Sequence, residues 1–336
     1  MEKKSNQIRN SMKHGLIIGK FLPLHTGHLS LIDFGLQNCN HLTVVLCYHP
    51  HEPISGAQRL LWLQQSLRNY HNISLISYSY DPTELSDNSN YHPKAATAWA
   101  VVLKELVPHS HVIFTSEAYG EHVAKEMEIE HCLYDLRRNA FPVSGSDIRQ
   151  SPISYWNYLP PAVRPFYVKK VCLSGSESTG KSTLAIRLAE HFHSIYVPEK
   201  ARDILGHTND CTPEHLVQIA EAQASAINSA LMDAHKVLIC DTDLNITRSY
   251  ARFLFNKELN VSSWVEEAND FALHLFLETD CPYIQDGTRL SLKDREALSV
   301  SHKAVLQSRN LPFISIRGNW EERFQQCCKY IHALLK

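Results

Sequence analysis

Short apolar runs alternate with helical patterns along almost the whole chain. In the first half, the runs that predict buried strands are Leu16–Ile18, Leu42–Cys47, Ile73–Ser77 and Val112–Thr115. The helical stretches between them include His28–Gln37, Gln58–Asn69 and Lys94–Leu106. A strand–helix–strand order places successive strands parallel in one sheet, with helices covering its faces. The alternation therefore predicts an α/β fold built on doubly wound parallel sheets.

The alternation is interrupted once, by the segment Pro152–Pro165, which also contains Pro160 and Pro161. Because prolines break regular elements, we expect a junction here, with one domain at 1–158 and another at 159–336. Beyond it, a second set of apolar runs predicts a second α/β domain: Val171–Leu173, Ile195–Val197, Val237–Cys240, Leu273–Leu277 and Phe313–Ile316.

Composition narrows the class of protein. Of the 336 residues, 44% are hydrophobic and 20% are charged, which is ordinary for two globular domains. The formal net charge of −2 provides no basic field for nucleic acid, and no apolar run is long enough to span a membrane. Met1–Lys13 lacks the apolar core of a signal peptide, and the nine cysteines are irregularly spaced. We therefore expect a cytoplasmic protein with small-molecule partners. Whether it forms a homo-oligomer stays open.

A first candidate site follows the strand Leu16–Ile18. The chain there reads Gly19-Lys20-Phe21-Leu22-Pro23-Leu24-His25-Thr26-Gly27-His28. Glycine at the strand end lets a ligand approach the backbone, and the two histidines, three residues apart at a helix start, share one helix face. The helix N-terminus and Lys20 add positive charge. Two histidines alone are more often incidental, but the full pattern predicts a cradle for a triphosphate.

A later motif belongs with the first, Val143-Ser144-Gly145-Ser146-Asp147-Ile148-Arg149. The two serines can cap a helix and bind phosphate oxygens, and Arg149 can neutralise them. Alone, this motif is typical of an ordinary helix cap. Its pairing with the first motif in one domain favours phosphate binding.

In the second half, Gly175-Ser176-Glu177-Ser178-Thr179-Gly180-Lys181-Ser182 matches G-x-x-x-x-G-K-[S/T]. The motif lies between an apolar run and an amphipathic stretch, Ser182–Phe192, as a phosphate-binding loop requires. A chance match in such a chain is roughly one in a hundred. Backbone N–H groups of the loop, up to Thr183, would wrap the β-phosphate, Lys181 would bridge the β- and γ-phosphates, and Ser182 would bind Mg²⁺.

Carboxylates at other strand ends complete this second site. Asp241 ends the run Val237–Cys240 and is the expected second Mg²⁺ ligand, and Asp243 is a candidate substrate contact and alternative base. Glu199 follows the run Ile195–Val197 and is the candidate base for a substrate hydroxyl. Arg202 would hold substrate or phosphate, although a surface ion pair between Glu199 and Arg202 is an equally good interpretation.

Two arginines, Arg289 and Arg295, follow the run Leu273–Leu277. In kinases with this loop, a mobile arginine-bearing lid closes over ATP. Both arginines are placed for that role, although a solvated arginine is the more usual outcome.

These motifs together resemble known families. G-K-F-x-P-x-H-x-G-H with the later S-x-S-x-I-R is similar to the nucleotidylyltransferase superfamily. A set of further residues resembles, more closely, the nicotinamide mononucleotide adenylyltransferase of the bifunctional NadR type: Arg59, Trp62, Trp99, Ser116-Glu117 and Asp135 to Arg138. P-E-x-x-R, D-T-D and D-G-x-R resemble its ribosylnicotinamide kinase domain, so the likeness runs from about Gly15 to the C-terminus. This sequence departs from the family at Ser146, often threonine, and at Lys200, often aromatic.

The resemblance implies a reaction for each domain. The second would phosphorylate ribosylnicotinamide with ATP and Mg²⁺. In the first, the phosphate of nicotinamide mononucleotide would attack the α-phosphorus of ATP, giving NAD and pyrophosphate without a covalent enzyme intermediate.

The resemblance also implies contacts in the first domain. ATP phosphates, with Mg²⁺ between them, would bind Lys20, His25, His28 and Arg149. Further cofactor contacts would come from Gly19, Phe21 and the turn Ser144–Ile148, near the adenine. Substrate contacts would come from Arg59, Arg138 and Trp99. Trp99 would stack on the nicotinamide ring, although a core tryptophan fits the sequence nearly as well.

Two other interpretations stay open. One is a regulator that senses NAD or ATP without turnover, which the presence of Lys181, Ser182 and Glu199 disfavours. The other is a fusion on the same folds with a different acceptor, such as pantetheine phosphate or glycerol phosphate, because the motifs fix phosphate chemistry better than the acceptor. Some NadR-type proteins carry an N-terminal helix-turn-helix domain, and we expect none in the 14 residues before Gly15.

Overall fold

The computed structural model describes residues 12–85, 93–205, 211–283 and 291–336. The chain divides into two compact units, Met1–Val163 and Arg164–Lys336. The division falls a few residues later than the sequence boundary, after a short 3-10 helix, Trp156–Tyr158. Trp156, Leu159 and Val163 are all buried, so the aromatic end of the junction segment is packed. Within the described residues, no helix has the length and apolar character needed to cross a membrane.

The first unit is built on a parallel sheet. Its strands are β1 (His14–Gly19), β2 (His41–Tyr48), β3 (Ile73–Ser79), β4 (Val112–Thr115) and β5 (Glu130–Leu133). Its helices are α1 (Thr26–Asn38), α2 (Gly56–Leu67), α3 (Pro93–Leu106), α4 (Tyr119–Met127) and α5 (Gly145–Gln150). The strand order is β3-β2-β1-β4-β5, so the order reverses between β1 and β4. Parallel sheets bind ligands at the carboxyl ends of the strands beside such a reversal. β5 was not expected, because Glu130 and His131 interrupt its apolar pattern.

The second unit has its own parallel sheet. Its strands are β6 (Lys169–Ser174), β7 (Ile195–Val197), β8 (Val237–Asp241), β9 (Leu273–Leu277) and β10 (Ile314–Ile316), in the order β10-β9-β6-β8-β7. Its helices are α6 (Arg164–Tyr167), α7 (Lys181–His191), α8 (Ala201–Ile204), α9 (Pro213–Ala230), α10 (Leu244–Phe255), α11 (Ser263–Ala268), α12 (Leu292–Ser308) and α13 (Trp320–Leu334). The α/β class predicted from the alternation is confirmed for both units.

The central strands are buried on both faces, which is why they read as continuous apolar runs in the sequence. In the first unit, Leu16, Val45 and Ile113 are fully buried in one cluster with Trp99. In the second, Val171, Ile239 and Leu275 pack in one core cluster with side chains of α7 and α13. Burial of each such side chain stabilises the fold by roughly 1.5–3 kcal/mol, so the sheets are the stable part of each unit beneath the loops at the carboxyl edge.

Candidate active sites

In the first unit, a cavity of about 650 Å³ opens where β1, β2 and β4 end. Most of the residues predicted for this site line it: Gly19, Lys20, Phe21, His25, His28, Trp99, Arg138, Ser144, Ser146 and Arg149. The two distant motifs therefore meet at one edge of the sheet.

The loop after β1 holds the two histidines face to face. Phe21 takes a left-handed backbone conformation, with φ of 48°, and turns the chain from the strand towards α1. His25 is the N-cap of α1, and its backbone N–H donates to Nδ1 of His28 over 3.4 Å. The rings stack with centroids 3.7 Å apart. A Cβ on Gly27 would lie 3.1 Å from the His25 ring, so glycine allows this close packing.

Both histidines are neutral near pH 7. Burial lowers the pKa of His25 to about 4, with a further lowering from Arg138. Burial also holds the pKa of His28 well below its usual range, and His25 and Arg138 act in the same direction. As neutral rings, the imidazoles can offer hydrogen bonds to a ligand in the cavity. The positive charge on the cavity wall belongs to Lys20, Arg138 and Arg149.

The Ser144–Arg149 motif docks onto the first loop through the backbone of Leu22. Arg149 donates from Nη1 to the Leu22 carbonyl and from Nη2 to Oγ of Ser146, over 3.0 Å in the second case. A Cβ on Gly145 would collide with the same Leu22 carbonyl, so only glycine fits there. Glycine and arginine thus fix the two motifs to each other.

Ser144 and Ile148 have structural roles here, whereas the sequence predicted that they contact a ligand. The Ser144 side chain forms a capping box with Asp147, accepting from its backbone N–H over 3.1 Å and donating to its carboxylate over 2.6 Å. Its hydroxyl is therefore already engaged in capping α5. Ile148 is fully buried and lies behind the cavity wall, so it positions the turn.

Arg59 also lies behind the cavity and not in it. Its side chain is fully buried and pairs with Glu52 at 2.5 Å. It also donates to the backbone carbonyl of Lys20 over 2.9 Å. The substrate contact expected for Arg59 is replaced in this structure by an internal ion pair. Nothing in the motif pattern distinguishes the two cases, because a paired and an unpaired arginine look alike in sequence.

Trp99 is a core residue that also reaches the cavity. It is 2% exposed and packs edge-on against Tyr78 and Tyr80 in the core, with centroid distances of 6.2 Å and 5.2 Å. It also lines the cavity. A core tryptophan held this firmly can present part of its ring to a flat ligand.

In the second unit, a cavity of about 510 Å³ opens over the loop between β6 and α7. Gly175 and Gly180 have φ of 139° and 86°, which favour glycine, and Ser178 also has a positive φ, of 57°. The loop residues lining the cavity are Gly175, Glu177, Ser178, Thr179, Gly180, Lys181, Ser182 and Thr183. Ser176 is buried, and its carbonyl accepts from Lys181 Nζ over 3.0 Å. The backbone therefore has the turn that a phosphate-binding loop needs.

Ser182 and Asp241 meet as predicted for a metal-binding pair. Oγ of Ser182 donates to Oδ2 of Asp241 over 2.5 Å. Asp241 is 1% exposed at the end of β8, and its Oδ1 is buried without a hydrogen-bond partner among the described residues. A hydroxyl beside a buried carboxylate oxygen with a free lone pair fits a divalent cation such as Mg²⁺.

Glu199 and Arg202 line the same cavity. Burial raises the pKa of the Glu199 carboxyl, Asp241 acts in the same direction, and Lys181 and Arg202 oppose the shift. Arg202 Nε lies 4.0 Å from Glu199 Oε2, and its own side chain is 69% exposed. A raised pKa brings a carboxylate closer to the range that suits a general base. The rest of the wall is mostly apolar, with Leu205, Leu216, Ile219, Ile246, Leu254 and the ring of Tyr250.

Asp243 has a structural role in place of the expected substrate contact. It is fully buried and caps α10, where Oδ1 accepts from the backbone N–H groups of Asn245 and Ile246, each over 3.0 Å. Its Oδ2 accepts from the Asn245 side chain over 2.8 Å and lies 3.6 Å from His274. Both carboxylate oxygens are thus engaged away from the cavity. Cys172 and His274 lie beside Asp243 in a buried group of three side chains.

Two buried arginines hold the phosphate-binding loop from behind. Arg295, on α12, donates from Nε to the Glu177 carbonyl over 3.0 Å and from Nη2 to the Ser178 carbonyl over 3.4 Å. Arg323, on α13, donates from Nη1 to the Thr179 carbonyl over 3.0 Å. Arg295 is 2% exposed, so it fixes the loop and is not the mobile lid residue expected from sequence. Arg289 lies outside the described residues. Arg323 was missed, because it stands far from any motif.

Each unit thus pairs a parallel sheet with a polar cavity at the carboxyl ends of its central strands. The first has the fold and H-x-G-H loop of a nucleotidylyltransferase-type domain. The second has the fold and loop of a P-loop domain. A family model described as an AAA domain matches residues 170–323, which contain that loop.

The chain is similar to the NadR proteins over nearly its whole length. It is 27% identical to the trifunctional NAD biosynthesis/regulator protein NadR of Salmonella typhimurium (strain LT2), covering 97% of this chain and 84% of the relative. The Escherichia coli (strain K12) protein of the same name is 28% identical, covering 96% and 83%. The NadR resemblance inferred from the motifs is therefore confirmed.

Other comparisons agree with this placement. A crystal structure of NadR in complex with NR has a TM-score of 0.77 at 20% identity, covering 96% of both chains, and supports the fold. A nicotinamide-nucleotide adenylyltransferase of Pyrococcus furiosus is 21% identical over 168 residues, covering 48% of this chain and 85% of that one.

Proposed function

We propose that this chain is a bifunctional enzyme of NAD biosynthesis. The second unit phosphorylates ribosylnicotinamide with ATP. The first unit joins the resulting nicotinamide mononucleotide to AMP from another ATP, giving NAD and pyrophosphate. The observation that carries the proposal is homology to NadR over 97% of the chain, a span that includes both phosphate-binding loops. Each loop opens on its own cavity, which supports one reaction for each unit.

In the second unit, Lys181 and the loop N–H groups bind the phosphates of ATP, and Ser182 with Asp241 would hold Mg²⁺. A bound Mg²⁺ would neutralise charge on the transferred phosphoryl group. Glu199 takes the proton of the acceptor 5′-hydroxyl, which then attacks the γ-phosphorus while ADP leaves. The raised pKa of Glu199 supports this role. The apolar wall opposite the loop suits the flat ring of a nucleoside.

In the first unit, Lys20, Arg138 and Arg149 neutralise phosphate charge, and the neutral His25 and His28 donate hydrogen bonds to phosphate oxygens. The acceptor phosphate attacks the α-phosphorus of ATP in line, and pyrophosphate leaves on the opposite side. The residues position the reactants and stabilise charge that spreads in the transition state, so no covalent intermediate is needed. Trp99 stacks on the nicotinamide ring.

The test is a time course with purified full-length protein, ribosylnicotinamide, ATP and Mg²⁺, with products separated by chromatography. Nicotinamide mononucleotide should form first and NAD should follow. Mononucleotide without NAD would contradict the role of the first unit. NAD formed from added mononucleotide, but no mononucleotide from ribosylnicotinamide, would contradict the role of the second.

A further inference from the structure

Glu52 connects the first cavity to the buried arginine behind it. It follows β2 and lines the cavity, yet its side chain is only 4% exposed. Its carboxylate pairs with Lys20 at 3.0 Å on one side and with Arg59 at 2.5 Å on the other. His49 Nε2 is a third neighbour, at 3.7 Å. No sequence motif pointed to this residue.

Arg59 and Glu52 hold Lys20 at two points. Arg59 donates to the backbone carbonyl of Lys20 over 2.9 Å, and Glu52 binds its ammonium. Burial alone would raise the pKa of Glu52, but the Lys20 ammonium and the Arg59 guanidinium beside it outweigh burial and lower the pKa. The carboxylate is therefore ionised at neutral pH. Because an unpaired buried charge is costly, Glu52 also offsets the charge of Arg59.

A lysine side chain has four rotatable bonds, and an ammonium that is free to move must be ordered each time a ligand binds. We propose that Glu52 is a positioning residue for adenylyl transfer, which fixes the Lys20 ammonium on the cavity wall where the ATP phosphates bind. This inference rests on the function proposed for the first unit.

The test is a double-mutant cycle between Glu52→Gln and Lys20→Met in the full chain, read as kcat and KM for ATP with nicotinamide mononucleotide as acceptor. Glutamine keeps the size of the side chain and an oxygen for Arg59. Alone, Glu52→Gln should lower kcat/KM by about 10-fold to 100-fold, as misplacement of a reacting group does. In the Lys20→Met background, Glu52→Gln should lower kcat/KM by less than about a further 2-fold, because the two residues act together. Losses that multiply would overturn the proposal.

A matched control is Glu130→Gln, which removes an exposed ion pair with Lys13 in the same unit and should leave kcat/KM unchanged. Thermal unfolding checks that each variant is folded. If Glu52→Gln does not fold, Glu52→Asp keeps the charge on a shorter side chain that cannot reach both partners, and should show the same dependence on Lys20.

A wild-type protein that forms no NAD would contradict the proposed function, whereas the placement of the Lys20 ammonium by Glu52 for ATP binding can be tested separately. In that case the same cycle is read as ATP affinity by calorimetry, in a Lys181→Ala background that removes the P-loop lysine from the second unit. If Glu52→Gln weakens ATP binding only when Lys20 is present, the positioning role is supported. If it weakens ATP binding equally with and without Lys20, or not at all, the role is overturned.

Discussion

Replacing Arg323 with methionine tests whether the second unit depends on its buried arginine clamp. Arg323 is 1% exposed and donates to the carbonyls of Gly318 at 2.8 Å, Thr179 at 3.0 Å and Glu278 at 3.1 Å. It also pairs with the carboxylate of Asp280. Hydrogen bonds from a charged donor contribute about 1.5–3 kcal/mol each, but contributions within one network do not add fully.

The expected loss is about 3–5 kcal/mol, the range for breaking a buried ion pair. Methionine fills much of the volume, and the Asp280 side chain, 39% exposed, can be hydrated, so a larger loss is not expected. For a unit of this size, 1 kcal/mol corresponds to roughly 2–4 °C, so its melting temperature should fall by about 6–20 °C. Below that transition, KM for ATP in the kinase reaction should rise, because Thr179 in the phosphate-binding loop loses its anchor.

Scanning calorimetry and kinase kinetics measure both effects, with adenylyl transfer by the first unit as an internal reference. Arg187→Met is the matched control. Arg187 pairs with Glu321 at 2.6 Å, but its side chain is 44% exposed, so its loss should cost no more than about 1 kcal/mol. An Arg323→Met variant as stable as the Arg187→Met variant would refute the reasoning.

Three further predictions concern the two sites. Lys181→Ala should abolish phosphorylation of ribosylnicotinamide and leave adenylyl transfer nearly intact, while His28→Ala should do the reverse; a joint loss in folded protein would contradict two separate sites. Glu199→Gln should reduce kinase kcat by a factor of about 10² to 10⁴ with little change in ATP affinity, and steady-state assays showing kcat near wild type would remove Glu199 as the base. Because the pKa of His25 falls from 6.5 to about 4 on folding, the unfolded chain binds more protons between these values, so the first unit should lose stability as pH falls from about 6.5 to about 4. The loss of unfolding free energy from this group is up to about 3 kcal/mol. Urea unfolding at pH 7 and pH 5 should show that the free energy of unfolding depends less on pH in His25→Asn than in the wild type. An unchanged pH dependence would mean that His25 is not buried in its neutral form.

The part of each site that the sequence predicted best was which motifs lie together at one edge of the sheet. The pairing of the loop after β1 with Ser144–Arg149 could be anticipated, because strand ends of a parallel sheet gather at one edge. The contact between Ser182 and Asp241 follows from the same rule, since β6 and β8 are neighbours in register. What could not be anticipated is which charged groups near these loops face the ligand.

The sequence by itself determined two α/β domains and the glycine-containing loop beside the cavity of each, because apolar periodicity and such loops are local properties of the chain. Tertiary structure alone decided that Arg59, Asp243 and Arg295 are buried partners of other protein groups. It also decided that the histidines are neutral and brought Glu52 and Arg323 into the supporting network. The physical reason is that burial and charge pairing depend on residues far apart in sequence, and an ionisable side chain carries no local mark of the partner it will meet.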